Sequence, residues 1–386
     1  MKSKLIFFAL IIFLLSTLAY VACKEQKLEW KGTITEKDGV VIVKNPKEPL
    51  YKNAEFNIVQ DLKIGRPVGK PEYMFSQIRD IAVDTEGNIY ATDSKEKHIR
   101  VFDKNGVYLR TVGRPGQGPG EFTDPGNVHV NPAGEIMATD GGSLRVKVFS
   151  ADGKYLRQYP LKTFYPMKLD YGSGDVFYIM SFSMEPPGFG LFRLDSRTGE
   201  SSSVAVWAMP PPDPKRASIF DPIMSFSVMP DGRLLYGCPT EGYEIKIFGP
   251  EGRLERRILR DWDLQPVTAK EKETIINIVR ARLPAGQGQA QMDFPASHPP
   301  YRVVTGDDLG RIIVHVYSEF TGEASQKTES LFDVFDKEGR YVARFSYPFR
   351  ALIEKPMLWK AGKFYTVEQD EEGYIYIVRY AVKFKL

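Results

Sequence analysis

Six glycines, Gly87, Gly134, Gly174, Gly232, Gly310 and Gly362, each precede a short apolar strand-like run. Seven positions before them stand Asp80, Asn127, Met167, Ser225, Val303 and Lys355, and one position earlier Arg79, Gly126, Pro166, Met224, Arg302 and Glu354. If the glycines mark equivalent turns, these residues share a level and form a ring. Of the ring residues only Asp80 and Asn127 suit a hard cation, short of the oxygen shell that calcium needs. Arg79, Arg302, Glu354 and Lys355 bring mixed charge, suited to a carboxylate, a sugar or a peptide end. Arg79, Asp80, Asn127, Arg302, Glu354 and Lys355 are therefore the candidate binding residues, with solvated loop charges as the alternative reading.

Other constellations point away from catalysis. The four histidines, His98, His129, His298 and His315, fall at different places in different units, so they do not ring a common axis as zinc ligands would. The run Gly113–Gly120 lacks a following Gly-Lys-Ser/Thr, and Pro115 and Pro119 remove amides that a phosphate cradle needs, so it reads as a connection. Neither a nucleophile elbow nor a spaced acid/base pair is present. No catalytic residue, metal or cofactor is expected.

The elements that position these residues come from a repeat. Asp80–Asp93 aligns with Asn127–Asp140 without a gap at a period of 47, and Ile99–Arg110 aligns with Val146–Arg157 at the same offset. Period-two alternation at Ile81, Val83, Ile89, Ala91, Ile99 and Val101, with polar residues and glycine at 84–87 and 103–106, reads as a four-stranded antiparallel meander. One such sheet buries too little alone, and radial stacking of several gives a β-propeller. Weaker copies follow, with outer hairpins at Leu191–Gly199, Ile245–Gly252 and Phe332–Gly339. The sixth copy ends without an outermost strand, and Phe56–Lys63 has the alternation to supply it.

The stretch Gly113–Phe122, then Pro125, Val128–Asp140 and Val146–Phe149, resembles the NHL family, as do Asp80–Asp84, Gly87–Tyr90 and Ile99–Asp103. The whole chain resembles the bacterial six-bladed propeller lipoproteins. That resemblance implies an all-β six-bladed propeller over 54–386, interrupted by an insertion at 264–300 between blades four and five. Within the insertion Thr268–Glu271 is a capping box, and apolar spacing from Ile275 to Leu283 predicts a helix over 268–284, packed on the rim or covering one face. A second, proline-rich insert occupies Trp207–Pro214.

Lys2 and Lys4, the apolar run Leu5–Leu15 and the small residues before Cys23 form a secretory signal over 1–22. Ala22-Cys23 resembles a lipobox, which implies lipidation of Cys23, a lipidated linker over 23–53 and, with Lys24, the outer membrane. Ordinary cleavage and a retained anchor are the alternatives. Cys238 is then left without a partner and is expected to be a buried, inert thiol.

Of 386 residues, 52 are Lys or Arg and 49 Asp or Glu, so no basic field exists to recruit nucleic acid. The expected function is capture of a protein, peptide or glycan on the channel-mouth face by a membrane-anchored, non-catalytic propeller on the periplasmic side of a bacterial envelope. The alternative is a propeller hydrolase or lyase acting in the central channel.

Overall fold

The computed structural model describes residues 28–52, 54–161, 165–172, 174–184, 187–208, 216–218, 220, 224–282, 291–316, 330–347 and 356–385. Six antiparallel sheets form the blades of a propeller. Blade one runs Ile78–Val83, Ile89–Asp93, His98–Phe102, Tyr108–Val112, from the channel outward. Blade two repeats it as Pro125–Val130, Ile136–Asp140, Arg145–Phe149, Tyr155–Pro160, and blade three as Lys168–Tyr171, Val176–Met184, Pro187–Asp195, Ser201–Ala208. Blade four contains Ser225–Val228, Leu234–Gly237, Glu244–Phe248 and Leu254–Arg260, and blade five Val303–Gly306, Ile312–Val316, Ser330–Phe335 and Tyr341–Tyr347.

Blade six begins with Met357–Lys360, Lys363–Gln369 and Ile375–Lys385 and takes its outermost strand, Glu55–Ile64, from the N-terminal part of the chain. The ring thus closes by pairing distant segments, as the unpartnered Phe56–Lys63 alternation requires. That pairing also covers a sheet edge that would otherwise be open.

The repeat persists because its polar residues are structural. Asp93 is fully buried and accepts the amides of Ser76 and Gln77 at 2.8 and 3.0 Å. Its counterpart Asp140, also fully buried, accepts those of Thr123 and Asp124 at 3.2 and 2.7 Å. Each aspartate thereby holds the connection that leads into its own blade's innermost strand. Arg100 lies 3.7 Å from Asp93 and Lys147 2.7 Å from Asp140, and each cation also sits over an aromatic ring, Phe75 or Phe122. A buried carboxylate is tolerable only when paired and bonded in this way. Gly113 in the next connection has φ +76°, and a Cβ there would approach Phe122 to 2.3 Å, so no other residue fits.

Between blades the sheets pack face to face through aromatic and branched side chains. Between blades five and six, Phe332, Phe345, Trp359, Phe364 and Tyr380 form one buried cluster, with Trp359 stacked on Phe364 at 4.4 Å. Asp84 and Asp103 each fold a hairpin turn by accepting two amides on their own side chain, which is why polar residues precede the turn glycines.

The N-terminal stretch departs from a linker. Thr33–Lys37 and Val40–Asn45 form a hairpin, and Val40–Asn45 pairs in parallel with Leu254–Arg260, making blade four six-stranded. The signal was Asp38-Gly39 between two β-branched runs, a strong hairpin turn whose residues have φ +54° and +75°. The chain then passes blade five, where the amides of Leu50 and Tyr51 donate to Tyr341 and Val342, before closing blade six. Residues 33–52 and 54–64 are a belt across three blades.

Asn45 joins the belt to two blades. Its side-chain amide donates to the Leu259 and Gly339 carbonyls at 3.2 and 2.9 Å, and its oxygen accepts the Tyr341 amide at 2.6 Å. At 3% exposure these groups have no water to replace lost partners. Asn45→Ala should therefore lower the unfolding free energy by about 3 kcal/mol, read as a shifted urea midpoint with unchanged slope.

Candidate functional site

The innermost strands all begin on one face, called here the mouth face, and several residues near those starts stitch one strand to the next. Asp80 accepts the Val128 amide at 3.1 Å and the Asn127 side-chain amide at 3.3 Å. The Asn127 oxygen accepts the Leu169 amide at 3.1 Å, Asp170 accepts Val228 at 2.9 Å, and the Ser225 hydroxyl accepts Val304 at 3.0 Å. Lys168 donates to the Phe226 carbonyl, and Lys360 to the Val83 carbonyl at 2.6 Å. Each of these side chains reaches from one innermost strand to the backbone of the next.

Two candidate binding residues are therefore built into the fold. Asp80 and Asn127 satisfy strand amides that face the channel, and their oxygens are already engaged. Arg79 is exposed at the mouth and lies 3.6 Å from Asp124. Arg302 is half-buried at the start of the fifth innermost strand, its own amide donating to the His315 carbonyl at 2.7 Å. Glu354 and Lys355 lie outside the described residues, as does Cys23.

The seven-residue count fails in two blades, in one because the glycine sits a place earlier in its turn and in the other because the turn is shorter. Tyr171 pairs with Phe177 across a five-residue turn, as Val83 pairs with Ile89, which makes Lys168 and not Met167 the equivalent of Asp80. In blade six Lys360 pairs with Lys363 across two residues, so counting back from Gly362 overshoots the strand that starts at Met357.

Sequence reasoning also missed an acid/base group within the channel. His129 Nδ1 lies 3.6 Å from Asp170, on the neighbouring innermost strand, and its ring packs on Tyr171 at 5.4 Å. Burial pulls the imidazole below its ordinary value, against the attraction of Asp170, while Lys360 pulls the same way as burial. Burial likewise pulls Lys168 down, opposed by Asp170 and Asp80. The only prior hint was that both residues fall on a strand face pointing to the axis.

The remaining histidines do structural work. His315 is buried against Phe332, with burial pushing its pKa down to about 3. His298 bonds Glu271 at 3.0 Å inside the insertion, and His98 opens the third strand of blade one. Among the described residues no group of three or more His, Cys, Asp or Glu is placed to hold a metal ion. Cys238 is buried beside the Thr240 hydroxyl at 3.0 Å.

The two insertions meet. Helix α1, Ala269–Arg282, is capped by the Thr268 hydroxyl, which accepts the Glu271 amide at 3.1 Å, and it buries Glu271 and Ile275. The return strand Gln291–Asp293 pairs in parallel with Arg216–Ser218, just beyond the proline-rich insert, and Phe220 packs on His298 at 4.6 Å. Both inserts feed innermost strands, of blades four and five, so this joined structure belongs to the mouth face. A separate depression of about 280 Å³, lined by Asn45, Tyr243, Glu244, Arg260 and Asp261 among others, lies where the belt meets blade four. Its buried charges are taken: Arg260 faces Asp333 at 3.3 Å and Glu244 holds Arg257.

The family model of the 6-bladed beta-propeller DUF5128 matches residues 69–196. The chain is a six-bladed β-propeller. A DUF4221 family member from Bacteroides vulgatus is similar with a TM-score of 0.56 at 13% identity, over 86% of this chain and 99% of that one. A protein from Bacteroides fragilis whose name calls it exported is similar with a TM-score of 0.52 at 12% identity, over 89% of this chain and 99% of that one. Virginiamycin B lyase from Staphylococcus aureus reaches only 0.43 at 12% identity, over 84% of this chain and 99% of that one. Identities this low speak to the fold alone. No curated protein matches the sequence. Among the described residues no helix is long and apolar enough to cross a membrane.

Burial pushes the Asp80 carboxyl up to about 6, against the pull of the Val128 and Ile81 amides, Asn127 and the charge of Lys168. An acid raised in the folded state contributes stability fully below its unfolded value of 3.8, and that contribution is lost as the pH rises through about 6. Relative to Asp80→Asn, the wild type should thus lose on the order of 3 kcal/mol between about pH 3.5 and pH 7 in urea unfolding. A carboxyl resonance of Asp80 titrating near its ordinary value would contradict this.

Proposed function

We propose that this protein is an exported propeller, anchored through a lipid on Cys23 to the periplasmic side of the outer membrane, that captures a protein, peptide or glycan on its mouth face. The supporting observation is where irregularity is concentrated. The opposite face carries short turns such as Asp84–Asn88 and Asp103–Val107, whereas the mouth face carries α1, the joined inserts and the exposed Arg79. A repeated fold gains a binding site where it departs from its repeat. With the oxygens of Asp80 and Asn127 engaged in the ring, the exposed Arg79 and the residues around it are the contact points.

A second reading, hydrolysis or lysis within the channel, is favoured by His129 beside Asp170, a base with an orienting carboxylate. Under that reading turnover of a lactone, ester or glycoside should vanish in His129→Ala.

Photo-crosslinking side chains placed at Lys95 and Met167 on the mouth face should give adducts in whole cells, and those at Glu86 and Lys104 on the opposite face should not. The reverse pattern would sink the capture reading. Cys23→Ser should move the protein from the membrane pellet into the soluble periplasmic fraction, because an acyl chain then no longer holds it. Retention in the pellet with residues 1–22 uncleaved would mean a spanning anchor instead.

A further inference from the structure

Comparison of blades one and two separates residues that serve the fold from residues free to serve a ligand. Where the units match at the period of 47, as with Phe75/Phe122, Asp93/Asp140 and Arg100/Lys147, the side chains make the same contacts. Three mismatches converge on one spot at the mouth. Arg79 stands where blade two has Gly126, Asp124 where blade one has Gln77, and Gly141 where blade one has Ser94.

These departures organise one aromatic ring. The Tyr165 hydroxyl, from the connection between blades two and three, donates to Asp124 Oδ2 at 3.3 Å, and Arg79 faces the other oxygen of that carboxylate at 3.6 Å. A Cβ at Gly141 would come within 2.9 Å of the Asp124 carboxylate and 3.3 Å of the Tyr165 ring, so glycine lets the ring settle against the blade-two turn. Held at its hydroxyl and along one side, Tyr165 still exposes 50% of its surface. Burial does not account for an aromatic side chain oriented in this way and left open.

We propose that Tyr165, Asp124 and Arg79 form a subsite for a neutral sugar ring of an oligosaccharide, an assignment that rests on the mouth-face capture reading. A pyranose offers an apolar C–H face to an aromatic ring and hydroxyls at its rim, for which Asp124 supplies an acceptor and Arg79 donors. The acidic and basic charges cancel, which suits an uncharged ligand. Peptide capture by strand addition needs open backbone groups. Here the channel-facing amides of Val128, Leu169, Val228 and Val304 are taken by the stitches.

The test is calorimetric titration of the purified mature chain with hexasaccharides derived from β-glucan, mannan, xylan and arabinan. At least one should bind, and Tyr165→Ala should weaken it about tenfold or more, as loss of an aromatic anchor does. Tyr165→Phe, which keeps the ring, should stay within about threefold of wild type, with melting temperatures unchanged in both variants. No binding by any of the four, or equal affinity for Tyr165→Ala, would overturn the subsite. Binding of a random decapeptide pool that is lost in Tyr165→Ala would also overturn it and assign the spot to peptide. If mouth-face crosslinks persist without sugar binding, the sugar assignment alone has failed; if they too are absent, the capture reading has failed with it.

Discussion

Hydrogen bonds from the side chains of one innermost strand to the backbone of the next are the constraint on which the propeller rests. Innermost strands of neighbouring blades belong to separate sheets with no backbone ladder between them, so the polar groups on their facing edges need other partners. Asp80, Asn127, Asp170 and Ser225 accept those amides, and Lys168 and Lys360 serve the carbonyls. Without such partners each buried backbone group would cost as much as a lost hydrogen bond. The polar ring of the channel is therefore first an answer to folding.

That answer shapes what the channel can do. A carboxylate committed to a neighbouring amide has little capacity left for a cation, and burial holds Asp80 high and Lys168 and His129 low relative to their ordinary values. Groups away from the stitches, at the mouth, remain free of these duties. Arg79 opens the innermost strand of blade one and Asp124 ends the connection into blade two, each next to backbone held by Asp93 or Asp140, and Tyr165 reaches Asp124 from the connection into blade three.

The belt adds a second level of closure. A propeller closed by one outer strand depends on a single pairing of distant segments, here Glu55–Ile64 with Ile375–Lys385. The hairpin on blade four and the Leu50 and Tyr51 contacts with blade five spread that closure over three sheets, with Asn45 at the junction. Part of this was legible: the alternation of Phe56–Lys63 marked a strand in need of a partner. The Asp38-Gly39 turn carried a hairpin signal that the linker reading of 23–53 passed over, and the blade it joins could not be read, because a six-stranded blade breaks the repeat.

The sequence by itself determined the blade and its number, because a repeat of turn glycines and period-two strands at Ile81–Ala91 and Val128–Ala138 reflects local backbone preference and one-sided burial, both of which are properties of neighbouring residues. It also placed α1, through the Thr268 cap, and the location of its two inserts. Only the tertiary structure decided the roles of the ring residues. A fixed offset from Gly174 or Gly362 measures chain length, whereas level in the channel depends on where the glycine sits in its turn and how long that turn is; Gly174 falls one place earlier in a turn of equal length, which moved the third position from Met167 to Lys168. Whether Asp80 is a ligand or a stitch depends on a strand 47 residues away. The meeting of Arg79, Asp124 and Tyr165 has the same origin: a residue of an innermost strand and two from successive connections share no spacing rule, and only the radial closure of the blades brings their side chains to one carboxylate.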